Sequence, residues 1–200
     1  MLADVSGTGP IAVLVPVKSF ADAKARLSDV LSPSERASLA RTMADSVLRA
    51  AHPLPVWVVC DTDEVASWAA DAGADVLRKP GRGLNGAVEE GVRDLATLGV
   101  DIVVVAHADL PHADDFARLL ADHDAHGVTL VPDRHLDGTN VAIVPASSGF
   151  VFAYGPGSFR NHEAEAARLG LAVRVVDDER FAWDVDRPDD LVTPTWSTTR

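Results

Sequence analysis

The sequence predicts an α/β fold with a mostly parallel central sheet flanked by helices. Three observations predict it. Short runs rich in Val, Ile and Leu alternate with amphipathic segments through the first 125 residues, the order expected of strand–helix–strand units. The runs are apolar at successive positions, as strands buried on both faces require. Several of them end in charged residues, and doubly wound sheets bind ligands beyond the carboxyl ends of their strands.

Taken in order, IAVLVPV (11–17) reads as the first strand and LSPSERASLARTMADSVLRAA (31–51) as a helix. That helix opens with Ser32 as cap, Pro33 at the first helical position and Glu35 three after the cap. Ala40, Met43, Ala44, Val47, Leu48 and Ala51 then recur at helical spacing. PVWVVCD (55–61) is a strand, DTDEVASWAADAG (61–73) a helix and ADVLRK (74–79) a strand. GRGLNGAVEEGVRDLATLG (81–99) is a glycine-rich turn leading into a helix, and DIVVVAHADLP (101–111) a β-branched strand with a polar end. A helix is expected over 113–125, strands near 127–131, 140–144 and 150–153, a helix over 158–169 and a strand over 171–177. RFAWDVDRPDDL (180–191) reads as a strand with one buried face, because Phe181, Trp183 and Val185 alternate with polar positions.

The chain has 200 residues, a length that suits one domain. Residues 1–9 read as a flexible N-terminus, 10–192 as the folded domain and 193–200 as a tail. A formal charge of −12 argues against a nucleic-acid binder, which needs a broad basic face. Cys60 is the only cysteine, which excludes an intramolecular disulfide and fits a small core residue. With no signal-peptide pattern and no apolar run near the ~20 residues that span a bilayer, a cytoplasmic protein without membrane partners is expected.

Against that acidic background, VPVKSFADAKARL gathers Lys18, Lys24 and Arg26 where the first strand ends. Such a loop can neutralise a polyphosphate, although it matches neither GxxxxGK[ST] nor GxGxxG. Asp109, in HADLP, stands past a buried strand, where a carboxylate can hold a divalent cation. The neighbouring His107 reads as a partly buried structural histidine. Asp184 and Asp186 would lie on one side of the last strand, about 7 Å apart, and either could complete a metal site begun by Asp109. Gly83 and Asn85, in GRGLNG, suit the close approach of a base or ribose. Gly155, Gly157 and Ser158 open a helix whose free N–H groups could take an anion, and Asp137, Gly138, Thr139 and Asn140 form a polar turn that lines the same cleft.

VPVKSFADAKARL, GRGLNGAV, HADLP, DGTN, YGPGSF and WDVDRPDDL occur in the order seen in the 2-phospho-L-lactate / phosphoenolpyruvate guanylyltransferases of coenzyme F420 biosynthesis. The chain resembles that family over about residues 10–192. The resemblance implies a single-domain, GT-A-like and Rossmann-like nucleotidyltransferase fold. It also implies a reaction in which the phosphate of a three-carbon acid attacks the α-phosphorus of GTP and releases pyrophosphate. Mg2+ is the implied cofactor. Asp109 matches the family's first metal aspartate and Asp186 the second, with Asp184 in reserve. Thr139, Gly155 and Ser158 match the positions that hold the acid.

This chemistry needs no general base, since a phosphate with a second pKa near ~6 is already ionised at neutral pH. Lys18, Lys24 and Arg26 are then expected to offset charge on the departing pyrophosphate. Phosphoenolpyruvate is the expected acid, with 2-phospho-L-lactate and 3-phosphoglycerate the alternatives. Other readings are a nucleotidyltransferase loading a sugar phosphate or pterin phosphate, and a non-catalytic nucleotide-binding module. The basis of guanine choice, the oligomeric state and any hand-over of a labile product to a downstream enzyme are not written in the motifs.

Overall fold

The computed structural model describes residues 3–5 and 8–192. The helices and strands are β1 (Ala3–Val5), β2 (Thr8–Pro16), α1 (Pro33–Ala51), β3 (Val56–Cys60), α2 (Asp63–Asp71), β4 (Asp75–Arg78), α3 (Gly83–Thr97), β5 (Ile102–Ala106), α4 (Phe116–Leu120), β6 (Val128–Pro132), β7 (Thr139–Pro145), α5 (Ser158–Arg168) and β8 (Val173–Val175). The sheet runs β4-β3-β2-β5-β7-β6-β8, with β1 paired to β2 alone. β7 is antiparallel to both of its neighbours, while the β4-β3-β2-β5 half is parallel throughout.

Alternation along the strands builds two cores. Ile11, Val13 and Val15 of β2 pack under α1, α2 and α4, whereas Ala12 and Leu14 face α3 and α5. Every residue of β5 is buried. This double covering explains the unbroken apolar runs. Gly91 lets α3 lie close to the sheet, since a Cβ there would stand 2.9 Å from Leu14 Cδ2. α1 begins as read: the Ser32 side chain accepts from the Glu35 N–H, and the Glu35 carboxylate accepts from the Ser32 N–H at 2.8 Å. Cys60 is a buried free thiol.

Four expectations need correction. Part of the segment read as a flexible N-terminus, Ala3–Val5, pairs antiparallel with β2. The helix expected over 113–125 shortens to Phe116–Leu120, capped by the Asp115 carboxylate. Residues 150–153 form no strand, because their N–H groups go to side chains: Val151 N–H to Glu165 Oε1 and Ala153 N–H to His162 Nε2, each at 3.0 Å. Residues 180–187 also form no strand. Their amides are taken singly by Asp178 Oδ1, Asp109 O and Asp190 Oδ2, and a 3-10 turn follows over Pro188–Leu191. No helix among the described residues is long and apolar enough to cross a membrane.

Candidate active site

The carboxyl ends of β2, β3 and β5 open into one cleft of about 410 Å³, within the range of small-molecule sites. Its walls come from the loop after β2 (Val17 to Lys24), from Val59 to Asp61, from Lys79, from the start of α3 and from His107 to Asp109. Lys18, in that wall, is exposed, and so is Gly83 at the first turn of α3. The basic loop and Asp109, 85 residues apart in sequence, thus border the same space.

Asp109, Asp184 and Asp186 offer carboxylate oxygens that all lie within 4.8 Å of one another. Lys24 Nζ donates to Asp109 Oδ2 at 2.6 Å and to Asp186 Oδ1 at 3.3 Å, and Arg26 to Asp186 Oδ2 at 2.8 Å. Burial opposes charge on Lys24, yet the Asp109 and Asp186 carboxylates outweigh it and raise its pKa. Burial likewise works against ionised Asp109, but the Lys24 ammonium prevails and its pKa falls. Asp184 has no such partner among the described residues: burial and the charge of Asp109 push it up to about 6. Asp109 Oδ1 is buried without a hydrogen-bond partner among the described residues. A crowded set of hard oxygen donors with an orphaned oxygen fits a divalent cation.

The convergence of the acids is built by residues that the sequence reading passed over. Arg134, two residues past β6, ion-pairs with the buried Asp190, donates to Asp184 O at 3.3 Å and lies over the Trp183 ring at 4.2 Å. Asp190 Oδ2 accepts the N–H groups of Asp186 and Arg187 at 2.8 and 2.7 Å. Val185 N–H reaches Asp109 O at 3.3 Å. The loop therefore turns both aspartates toward Asp109, where a regular strand would hold them about 7 Å apart along the chain. Nothing in the motif pointed to Arg134.

The expected acid-binding residues Thr139, Gly155 and Ser158 are not among those lining that cleft; Thr139 and Ser158 join a network of their own. Thr139 and Ser158 are buried, and the Thr139 N–H donates to Ser158 Oγ at 3.0 Å. His162 Nε2 accepts from Ala153 N–H, so its Nδ1 carries the proton and donates to Thr139 Oγ1 at 2.9 Å. Gly155, with φ of 130°, is exposed beside them. Donors at the mouth of α5 are engaged from within: Gly157 N–H by Asp137 Oδ1 and Phe159 N–H by Asp137 O. Asn85 grips the Tyr154 backbone, accepting its N–H at 2.8 Å and donating to its carbonyl at 3.4 Å. Two polar atoms near by, His107 Nε2 and Tyr154 OH, are buried without partners among the described residues, with the two rings 4.8 Å apart. Burial holds the His107 pKa below its usual range.

The phosphoenolpyruvate guanylyltransferase of Sphaerobacter thermophilus is 37% identical to this chain over 184 residues, covering 89% of each chain. The 2-phospho-L-lactate guanylyltransferase of Methanothermobacter thermautotrophicus is 34% identical, covering 89% of this chain and 81% of its own. Among solved structures, a Desulfovibrio desulfuricans G20 protein assigned as a nucleotide-diphospho-sugar transferase superposes with a TM-score of 0.76 at 18% identity, covering 90% of this chain and 84% of the other. A 4-diphosphocytidyl-2C-methyl-D-erythritol synthase does so with 0.62 at 12%, covering 92% and 96%. These likenesses identify the fold as that of the nucleotidyltransferases. The family described as guanylyl transferase CofC like matches residues 11–193, and the chain belongs to that family.

Proposed function

We propose that this protein is a guanylyltransferase that moves GMP from GTP to the phosphate of phosphoenolpyruvate, or of 2-phospho-L-lactate, with release of pyrophosphate. The observation that carries the reading is the meeting of Asp109, Asp184 and Asp186 within 4.8 Å, beside Lys24, at the mouth of the cleft. The similarity to guanylyltransferases named for these two acids supports the substrate class. We assign the step to coenzyme F420 biosynthesis, in the cytoplasm, on the motif resemblance.

In the reaction, a phosphate oxygen of the acid forms a bond to the α-phosphorus of GTP, and the bond from that phosphorus to the bridging oxygen breaks. Asp109 and Asp186 would hold Mg2+, with Asp184 beside them. The ion supplies Lewis-acid stabilisation of charge on the transferring phosphoryl group. Lys18, Lys24 and Arg26 supply fixed positive charge toward the departing pyrophosphate. Thr139 and Ser158 set the turn that ends at Gly155, the exposed part of the acid subsite. The protein need not move a proton, because the nucleophile arrives ionised.

The test is pyrophosphate release from GTP and Mg2+ with each three-carbon acid in turn. Turnover with phosphoenolpyruvate or 2-phospho-L-lactate is expected. Silence with both, together with turnover on a sugar phosphate, overturns the assignment.

A further inference from the structure

We infer that Asp61 selects the base, reading guanine through its two Watson–Crick donors. The inference rests on the guanylyltransferase reading and supplies what that reading lacks, a group that tells GTP from ATP. Asn85, the polar residue expected at the base, has both ends of its amide committed to the Tyr154 backbone. Asp61 lines the cleft one residue past β3, and its Oδ1 is buried without a hydrogen-bond partner among the described residues. Its main chain is tied down, with Asp61 O accepting from Arg78 at 3.2 Å. The nearby cations are committed elsewhere: Arg78 pairs with Asp63, and Lys79 with Asp94 at 2.6 Å. A buried carboxylate oxygen lacking a partner is costly unless a ligand supplies the donor.

Position fits the assignment. In the sheet β3 and β5 flank β2, so the strands that lead to Asp61 and Asp109 run two strand spacings apart, about 10 Å. That separation suits a nucleotide whose α-phosphate lies at Asp109 and whose ribose bridges to a purine. The lining of the same cleft also includes Pro16, Val17, Ser19, Gly83, Leu84 and Ala87, small or apolar groups against which a base plane can lie, with Lys18 among them. Guanine offers adjacent N1–H and N2–H donors, which a carboxylate accepts with both oxygens. Adenine places an acceptor, N1, at that edge, and hypoxanthine lacks the exocyclic amine. A site built to pair polar groups rejects analogues that leave those groups unpaired.

Asp61→Asn presents an amide N–H that suits the C2 carbonyl of xanthine. The experiment is a binding titration of wild type and Asp61→Asn with GTP, ITP, ATP and XTP in the presence of Mg2+, with Asp61→Ala as a second variant and circular dichroism as the check on folding. Wild type should bind GTP more tightly than ITP by about tenfold or more, because ITP leaves one carboxylate oxygen without its donor. Asp61→Asn should lose that margin and gain XTP relative to GTP by about tenfold or more, an exchange that a merely structural residue would not produce. Asp61→Ala should level the four nucleotides. A folded Asp61→Asn protein that still prefers GTP to XTP by the wild-type margin overturns the assignment. Failure of the wild type to bind GTP at all would instead strike the guanylyltransferase reading beneath it.

Discussion

Lys24 Nζ lies 2.6 Å from Asp109 Oδ2 and 3.3 Å from Asp186 Oδ1, so one ammonium joins carboxylates from the middle and the C-terminal part of the chain. The lysine is held there by a left-handed backbone, with φ of 54° and ψ of 41°, which costs a non-glycine residue about 1 kcal/mol or more. Its side chain is only 9% exposed, so its attraction to the two acids is little screened. The ammonium and a divalent ion claim the same oxygens. Lys24→Met should therefore raise the affinity of the nucleotide-free protein for Mn2+, by about tenfold, while turnover with GTP slows. Calorimetric titration of the metal, set beside steady-state kinetics, checks both halves. Unchanged metal affinity would mean that the ion pair does not compete with the cation.

Asp109→Asn removes the carboxylate that contacts Lys24 and faces both other acids. A loss of about 3–5 kcal/mol in transition-state stabilisation is expected, or roughly 10²–10⁴ in kcat, with the melting temperature little changed. Pyrophosphate release at saturating Mg2+ measures it. Near wild-type turnover would remove Asp109 from the metal site. Asp186→Asn should resemble it more closely than Asp184→Asn does if Asp186 is the second principal ligand.

The doubly covered strands were legible because burial on both faces leaves a continuous apolar signature, as IVVVA of β5 shows. Asp109 was legible because it follows such a strand. The same rule reaches Asp61, which also stands at a strand's carboxyl end, although its role depends on what its oxygens fail to meet, and no motif records that. The loop from Asp178 to Asp190 misled for a physical reason. Its apolar residues alternate as in a strand, but its amides are met one by one by Asp178, Asp109 and Asp190, so alternation reported burial without a ladder. Arg134 was invisible for a related reason: its partner lies 56 residues away.

Arg134 positions the aspartates of the proposed metal site without being among them. Arg134→Ala leaves the buried Asp190 without its cation, and loss of one partner of a buried pair costs about 3 kcal/mol. A melting temperature lower by several degrees is expected, together with a raised Mg2+ requirement at nearly unchanged kcat once Mg2+ saturates. Arg134→Lys should recover part of the stability but less of the metal affinity, since lysine lacks the planar fork that reaches Asp190 and Asp184 O together. An unaltered Mg2+ dependence in Arg134→Ala would show that the 183–190 loop keeps its shape without the clamp.

His162 makes a prediction about acid. It is fully buried, accepts a backbone N–H at Nε2 and donates from Nδ1 to Thr139, so the fold holds it neutral. Burial is the main cause that lowers its pKa to about 4, with nearby His107 adding to the fall and Glu165 opposing it. The unfolded chain, with an ordinary pKa near 6.5, takes up a proton as pH drops below that value, while the folded protein does not. Because the folded pKa is depressed and the charged form is the acidic one, stability is full above about pH 6.5 and is lost progressively down to about pH 4. At full extent the loss from this residue is about 3 kcal/mol. His162→Gln, which titrates nowhere in this range, isolates it: the difference in urea-unfolding free energy between wild type and variant should shrink as pH falls from 7 to 4. A difference that stays constant with pH would mean that His162 is not held neutral, and that the tautomer joining Ala153 to Thr139 is not the one the fold requires.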